Sequence, residues 1–249
     1  MIKNIRNFIF DSDMNLILIF KEDFIDEGRR VCLTGRRHEH VLKIHRASIG
    51  DRLAVGLYGG GIGVGKIVEL DENTLIMDVI FDRKVPGALP LTLVMALPRP
   101  IVLKRVLSTV SAFGVKRIVL FHARRVEKSF WKSPALREEN LTHQLILGLE
   151  QARDTILPKV EMRTAFKPFV EDELPGIIGG TRAFVAHPES KRKCPYNVDH
   201  PVTLVIGPEG GFIPYEIEKL QKAGCIPVSL GERILRVESV IPALLSRIF

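Results

Sequence analysis

The sequence predicts an α/β protein with a small β-rich domain at residues 1–86 and a larger domain of alternating strands and helices at residues 87–249. Short apolar runs separated by Gly and Asp/Asn turns fill the first part, a pattern typical of a meander or a small barrel. After residues 86–90, unbroken apolar runs alternate with helical patterns, which indicates a parallel sheet covered on both faces. With 249 residues, 46% of them hydrophobic, the chain is long enough for two cores.

The N-terminal domain is expected to contain three strands and a basic helix. The strands are predicted at residues 52–58, 62–68 and 74–80, between turns rich in Gly, Asp and Asn. Residues 37–46 place three apolar side chains among basic ones and predict a short basic helix.

Positive charge points to a nucleic-acid partner. The formal net charge is +7, and such an excess attracts phosphate groups regardless of base sequence. A basic surface that serves only solubility explains the same net charge equally well. The densest cluster lies in the first domain, where an RNA-facing patch and an ordinary solvated face are the two interpretations. Its members are Arg29, Arg30, Arg36, Arg37, Lys43 and Arg46.

The glycine-rich run at residues 59–66 matches most of a phosphate-loop motif. The residue after Lys66 is Ile67, which offers no hydroxyl for magnesium, and a strand pattern follows in place of a helix. We therefore predict a glycine-rich hairpin turn here.

Three histidines of the same domain, His38, His40 and His45, raise the question of a metal site. Neither a carboxylate nor a cysteine stands beside them at ligand spacing, so we expect surface or RNA-contacting histidines and no metal. The three cysteines of the chain are widely scattered, which favours a reducing compartment over a disulfide framework.

The hydropathy pattern favours a cytoplasmic protein that does not enter a membrane. No apolar run reaches the roughly 18 to 20 residues that a membrane span needs. Asp11 and Asp13 interrupt the apolar stretch near the start, so the opening residues do not match a signal peptide.

Strands and helices alternate through the second domain. Gly114 stands where the C-terminal cap of its first helix belongs. The strands are expected at residues 91–97, 115–121, 183–186, 202–206 and 226–230, and the helices at residues 101–113 and 134–153.

Three loops of this domain are expected to converge on one site. Residues 186–188, 206–208 and 230–232 follow predicted strands, and ligands bind outside the carboxyl ends of strands in open parallel sheets. Glycines in the last two loops let the main chain approach a flat ligand closely. A nicotinamide dinucleotide is not expected, since no G-x-G-x-x-G run opens a helix.

Two segments carry a resemblance to a known family. Residues 206–212 read Ile-Gly-Pro-Glu-Gly-Gly-Phe, and residues 230–239 read Leu-Gly-Glu-Arg-Ile-Leu-Arg-Val-Glu-Ser. The pair resembles the signature of the RsmE-type methyltransferases, which belong to the SPOUT class. Shorter matches extend along nearly the whole chain, at residues 6–8, 40–46, 50–51, 96–98, 113–115 and 150–151.

The resemblance implies a fold, a reaction and partners. The family has a PUA-like β-barrel followed by a SPOUT α/β domain with a C-terminal trefoil knot, an exception to the rule that chains avoid knots. Its members use S-adenosylmethionine to methylate N3 of a uridine in 16S ribosomal RNA of the small subunit. They are homodimers and need no metal. The implied donor-binding residues are His187, Ile206, Gly207, Pro208, Glu209, Gly210, Gly211, Leu230, Gly231, Ile234, Leu235 and Arg236.

Methylation of a uridine nitrogen requires loss of the N3 proton and placement of the anion in line with the methyl group. Arg236 is the first candidate to stabilise charge on the uracil oxygens, and Glu238 could orient it or help to accept the proton. Alternatively, Arg236 and Glu238 form a structural pair that supports the knot. Two interpretations stay open for Glu209: it contacts the ligand, or it braces the loop.

The sequence departs from the family pattern in several places. Val240 stands where Ala is usual, and Ser108 and Ala112 replace a Lys and a Glu. Ile213 occupies an expected helix N-cap, with Pro214 at the first helical position. Because the donor loops are intact, these changes bear on substrate identity more than on cofactor use.

Two rival functions stay open beside the implied one. The chain could be a methyltransferase of the same fold that acts at another RNA position, such as a ribose oxygen. It could also be a non-catalytic RNA-binding protein that keeps the pocket.

Overall fold

The computed structural model describes residues 15–249, and its contacts divide the chain into two compact units. The first unit comprises Met1–Pro86 and Leu149–Ile156, and the second comprises Gly87–Gly148 and Leu157–Phe249. The chain therefore returns to the first unit at the end of its third helix, which the sequence patterns do not indicate. The family match at residues 6–8 lies outside the described residues.

The first unit is built on a five-stranded sheet in the order β1-β3-β4-β5-β2. Strands β1 and β3 are parallel, and the other neighbours are antiparallel. The three expected strands are confirmed as β3, β4 and β5, whereas the two strands at the sheet edges were not expected. The strands are β1 Ile17–Ile19, β2 Arg30–Leu33, β3 Arg52–Leu57, β4 Ile62–Leu70 and β5 Leu75–Arg83.

The glycine-rich run forms the hairpin between β3 and β4, as predicted. Gly63 shows why glycine is needed there, since a Cβ on it would lie 1.7 Å from the carbonyl oxygen of Ile80. The run is thus explained by the close approach of two backbones at a register shift of the sheet.

The expected basic helix is helix α1, Gly35–His40, which continues into a π-helical turn at Val41–His45. His38 on α1 is buried, and its Nε2–H donates a 2.9 Å hydrogen bond to the carbonyl oxygen of Asp71. The expectation of a surface or RNA-contacting histidine is therefore wrong for His38, because its ring is enclosed and its polar edge already has a partner. A 3-10 turn at Lys21–Asp23 completes the short elements of this unit.

The second unit contains a six-stranded, entirely parallel sheet in the order β11-β9-β10-β6-β7-β8. All five expected strands are confirmed, and β10 is buried at every position, as a parallel strand covered on both faces should be. Strand β8 was not expected. The strands are β6 Leu91–Ala96, β7 Arg117–Phe121, β8 Lys159–Arg163, β9 Arg182–Ala186, β10 Val202–Ile206 and β11 Ile226–Val228.

The helix expected at residues 134–153 begins later than predicted. Residues Pro134–Leu136 form a 3-10 turn, and Arg137 is extended, so helix α3 starts at Glu138. The helices of the second unit are α2 Pro100–Ala112, α3 Glu138–Ala152, α4 Phe166–Pro168, α5 Leu174–Ile178, α6 Pro214–Lys222 and α7 Val237–Ile248, with further short turns at Lys128–Lys132 and Phe169–Glu173.

Two of the family departures lie where α2 and α3 approach closely. A Cβ on Gly148 would lie 2.2 Å from the carbonyl oxygen of Ser108 and 3.0 Å from the backbone nitrogen of Ala112. Ser111 is buried between them and donates from its hydroxyl to the carbonyl oxygen of Leu145 over 2.8 Å. Positions 108 and 112 therefore belong to a tight helix contact in this protein.

Within residues 15–249, none of the helices has the length and apolar character that a membrane crossing requires. The trefoil knot and the PUA-like character of the first unit stay predictions.

Candidate active site

A cavity of about 320 Å³ lies at the carboxyl ends of β9, β10 and β11. Its size falls within the range of roughly 300–1,000 Å³ that is usual for small-molecule pockets. The loops after the three strands therefore converge as the sequence predicts. Every predicted donor-binding residue except Arg236 lines the cavity: His187, Ile206, Gly207, Pro208, Glu209, Gly210, Gly211, Leu230, Gly231, Ile234 and Leu235.

The loop after β10 folds back on itself at two glycines. Gly211 has a φ of +71°, and its N–H donates to the carbonyl oxygen of Pro208 over 2.8 Å, which closes a tight turn. A Cβ on Gly207 would lie 3.2 Å from the ring of Phe212. The absence of side chains thus lets the Phe212 ring lie under the loop, where it stacks on Phe121 with ring centroids 6.1 Å apart.

Arg125, in the loop after β7, lines the cavity and was not identified from the sequence. Its guanidinium donates to the carbonyl oxygen of Gly210, and a Cβ on Gly210 would lie 3.1 Å from the Arg125 Cδ. The signal was available, because Arg125 also follows the carboxyl end of a parallel strand. The Arg125 guanidinium places a positive charge at the cavity wall.

Glu216 on α6 holds the loops after β7 and β10 together. Its carboxylate is buried, with Oε1 accepting from the N–H of Arg124 over 2.7 Å and Oε2 from the N–H of Ile213 over 3.0 Å. Ile213 is the N-cap of α6 and makes no side-chain capping bond, as expected, and Pro214 is the first helical residue. Glu216 thus accepts from the N–H of the N-cap residue itself, a backbone donor that an N-cap hydroxyl would not satisfy.

Glu209 makes a bracing contact. Its Oε1 accepts a 2.9 Å hydrogen bond from the N–H of Arg99, the N-cap of α2. This contact supports the brace interpretation, although Glu209 also lines the cavity.

The second glycine loop presents unused backbone donors. Gly231 has a φ of +138°, a conformation that side-chain-bearing residues rarely adopt. None of the hydrogen bonds among the described residues uses the N–H of Leu230 or Gly231. These two donors are available to a ligand in the cavity.

The two catalytic candidates stand apart from the cavity lining and from each other. Arg236 is the N-cap of α7, and its exposed side chain makes no hydrogen bond or ion pair within residues 15–249. Glu238 is half-buried, with Oε1 3.9 Å from Nη1 of Arg105. No hydrogen bond or ion pair of the described residues joins the side chains of Arg236 and Glu238. The orienting role of Glu238 and the structural pair stay predictions. Val240, by contrast, lines the cavity.

Four of the six predicted RNA-binding residues are engaged with carboxylates of the first unit. Arg36 forms two hydrogen bonds of 3.0 and 2.9 Å to its partner. Arg29 and Arg46 make no ion pair among the described residues. The pairs are Arg30 with Asp78, Arg36 with Glu150, Arg37 with Asp23 and Lys43 with Glu39.

The chain is similar to several known proteins. A protein of Borreliella burgdorferi named ribosomal RNA small subunit methyltransferase E is 24% identical over 91% of this chain and 93% of its own length. A protein of the same name from Treponema pallidum is 26% identical over 91% of this chain and 87% of its own. The solved structure of a ribosomal RNA small subunit methyltransferase E from Neisseria gonorrhoeae, bound to S-adenosyl methionine, matches with a TM-score of 0.71 and 19% identity, covering 93% of this chain and 95% of that one.

The Neisseria structure supports the fold of both units over almost the full length of the chain. The model of the RNA methyltransferase domain family matches residues 86–249, more than half of the chain and including both glycine loops and the cavity that they form. This chain therefore belongs to the RNA methyltransferase domain family.

Proposed function

We propose that this protein uses S-adenosylmethionine to methylate N3 of a uridine in 16S ribosomal RNA of the small subunit. The observation that carries the proposal is the cavity formed by two glycine loops, with unused N–H groups at Leu230 and Gly231. The names of the curated relatives support the ribosomal RNA substrate, and the ligand of the Neisseria protein supports the methyl donor. The N3 position rests on the resemblance of the paired loops to the RsmE-type signature.

The cavity lining fits the donor. Apolar walls from Leu230, Leu235, Val237 and Leu244 suit a flat adenine ring. The free N–H groups of the second loop suit acceptor atoms of that ring or a carboxylate. When bound, S-adenosylmethionine supplies a methyl group on a positively charged sulfur.

The residues of this chain would act on the uracil by charge and position. A uridine N3–H ionises more readily beside positive charge, because an opposite charge within about 4–6 Å favours the anion. Arg125 and Arg233 line the cavity. Arg236 is the N-cap of α7, next to the second loop, and its side chain has no partner within residues 15–249. We assign Arg236 the stabilisation of charge on the uracil oxygens, which does not require contact with the donor itself.

The homodimer implied by the resemblance, and the cytoplasmic location favoured by the hydropathy pattern and the scattered cysteines, are part of the same proposal. Two apolar residues of the second loop support an interface close to the cavity, since Ile234 is 83% exposed and Leu235 is 42% exposed. Sedimentation of the purified protein tests this point, and a monomer at micromolar concentration would contradict it.

Calorimetric titration with S-adenosylmethionine tests the donor. We expect saturable one-site binding, and its absence would remove the methyltransferase proposal in favour of an RNA-binding module.

Mass mapping of small-subunit RNA from a deletion strain tests the target. We expect one uridine N3 methyl group to disappear and to return on complementation. Loss of a ribose methyl group instead would establish the rival RNA position.

A further inference from the structure

A shallow depression of about 780 Å³ opens beside the cavity in the second unit. His187 lines both, and the chain passes from Pro188 and Glu189 in the cavity wall directly to Ser190 and Lys191 in the wall of the depression. Four residues span at most about 14 Å when fully extended. A group held beside Lys191 therefore lies within about 14 Å of the cavity wall.

The depression is positively charged. Lys191 and Arg192 line it, Lys193 follows, and the lining contains no carboxylate. All three cations are exposed, and no ion pair of the described residues involves them. Cys225 in the lining is neutral, because burial raises the pKa of its thiol to about 12.

An acidic residue lies close by but faces the other site. Glu189 lines the cavity and not the depression, and its Oε2 lies 3.9 Å from Nε2 of His187. The side chain of Glu189 is 90% exposed, so solvent screens its charge from the three cations.

The backbone that carries these cations is fixed on both sides. Ser229 N–H donates to the carbonyl oxygen of Arg192 over 2.9 Å, and Cys194 N–H donates to that of Ser229 over 2.8 Å. Ser190 donates from its hydroxyl to the carbonyl oxygen of Pro227 over 2.9 Å. The three cations thus extend from an ordered segment, which lowers the entropic cost of binding a ligand.

We propose that Lys191, Arg192 and Lys193 bind phosphate groups of the RNA substrate and hold the target nucleotide beside the cavity. This inference rests on the proposed function for the identity of the partner. The contrast with the first unit supports it, since four of the six cations predicted there are already paired with carboxylates. Phosphate contacts fix register without reading bases, and such anchoring helps an enzyme that takes a base out of its stack.

The test replaces the three cations and measures RNA affinity alone. Fluorescence anisotropy follows a fluorescein-labelled 16S rRNA transcript binding to the full chain without S-adenosylmethionine. For K191Q/R192Q/K193Q we expect about tenfold weaker binding near 0.1 M salt. The slope of log affinity against log salt should fall by about 2, because each lost phosphate contact removes about 0.7 from it. The affinity for S-adenosylmethionine should be unchanged.

A matched variant removes three positive charges that already have partners. In R137Q/K159Q/K167Q, each replaced side chain is exposed and lies 3.7–3.9 Å from a carboxylate oxygen. It lowers the net charge equally, so its RNA affinity should change by less than about threefold, which isolates local contacts from the overall field.

The outcomes separate this inference from the proposed function. If both triple variants bind RNA alike, or if the wild type does not bind RNA, the phosphate site is refuted. If RNA binding depends on residues 191–193 but the wild type transfers no methyl group, the phosphate site is supported and the proposed reaction is refuted.

Discussion

Arg236 is a candidate for a role in turnover separate from donor binding. Its side chain is exposed and has no partner within residues 15–249, and it does not line the cavity. We therefore expect Arg236→Ala to bind S-adenosylmethionine normally and to lose activity by about 10²-fold or more, the range for removing a group that stabilises transition-state charge. Calorimetry and single-turnover methylation measure the two effects separately. Full turnover in this variant would exclude the role.

Glu238→Gln provides the comparison for Arg236. Among the described residues, Glu238 pairs with Arg105 alone, at 3.9 Å, and a pair this long with an exposed arginine contributes little to stability. If Glu238 takes no part in proton transfer, Glu238→Gln retains activity within about threefold, whereas a loss as large as that of Arg236→Ala assigns it to the chemistry.

Gly231 tests the second loop at the level of its backbone. At a φ of +138°, an alanine side chain imposes strain of about 1–3 kcal/mol or shifts the loop. Because Gly231 lines the cavity, we expect Gly231→Ala to weaken donor binding at least about tenfold, measured by calorimetry. Gly180 has a φ of +78° in the turn before β9 and does not line the cavity, so Gly180→Ala should lower stability without changing donor affinity. Equal losses of affinity in both variants would contradict a local role for Gly231.

The sequence predicts the site best where function depends on the main chain. Glycines in the sequence indicate the loops after β10 and β11, because a tight backbone turn and a close backbone approach both favour glycine. No such composition signal indicates the role of Arg125 or the carboxylates that pair with the basic cluster. Whether Arg36 faces solvent or Glu150 depends on contacts across 114 positions of the chain, which no local pattern reports.

At the level of elements, Glu216 is the strongest test of how α6 supports the site. Its buried carboxylate accepts from two backbone N–H groups, and a Gln there keeps one acceptor while turning an amide N–H₂ toward the other donor. We expect Glu216→Gln to lower the free energy of unfolding by about 1–3 kcal/mol in urea denaturation. Among the described residues, Glu218 on the same helix pairs only with exposed Lys222, so Glu218→Gln should change the free energy of unfolding by about 0.5 kcal/mol or less. Equal effects of the two variants would argue against a role for Glu216 in holding the two loops together.

The elements that sequence patterns miss are short, exposed at an edge or interrupted. Strand β8 lies at the edge of its sheet and none of its five positions is buried, so it lacks the apolar run that reveals β10. The segment after it breaks into α4, a π-helical turn and α5, with Pro168 and Pro175 inside it. Propensity is weak over such lengths, and packing decides the structure.

At the level of the whole molecule, the first unit is incomplete without Leu149–Ile156. The N–H of Leu16 donates to the carbonyl oxygen of Glu150 over 2.8 Å, and the N–H of Gly59 to that of Thr155 over 2.9 Å. The carboxylate of Glu150 also receives both hydrogen bonds from Arg36. No boundary drawn from composition at residue 86 can include a segment that lies more than sixty positions later in the sequence.

A fragment that ends at Pro86 should therefore fail to fold cooperatively. It loses the partners of Leu16, Arg36 and Gly59, and each unmade bond of this kind costs about 1–3 kcal/mol against a typical stability of about 5–15 kcal/mol. Urea titration followed by circular dichroism should show a broad, shallow transition for the fragment and a sharp one for the whole chain. Addition of a peptide with the sequence of residues 149–156 should sharpen the fragment's transition. A sharp transition without the peptide would mean that residues up to Pro86 fold cooperatively by themselves, and that Leu149–Ile156 is not needed for the stability of the first unit.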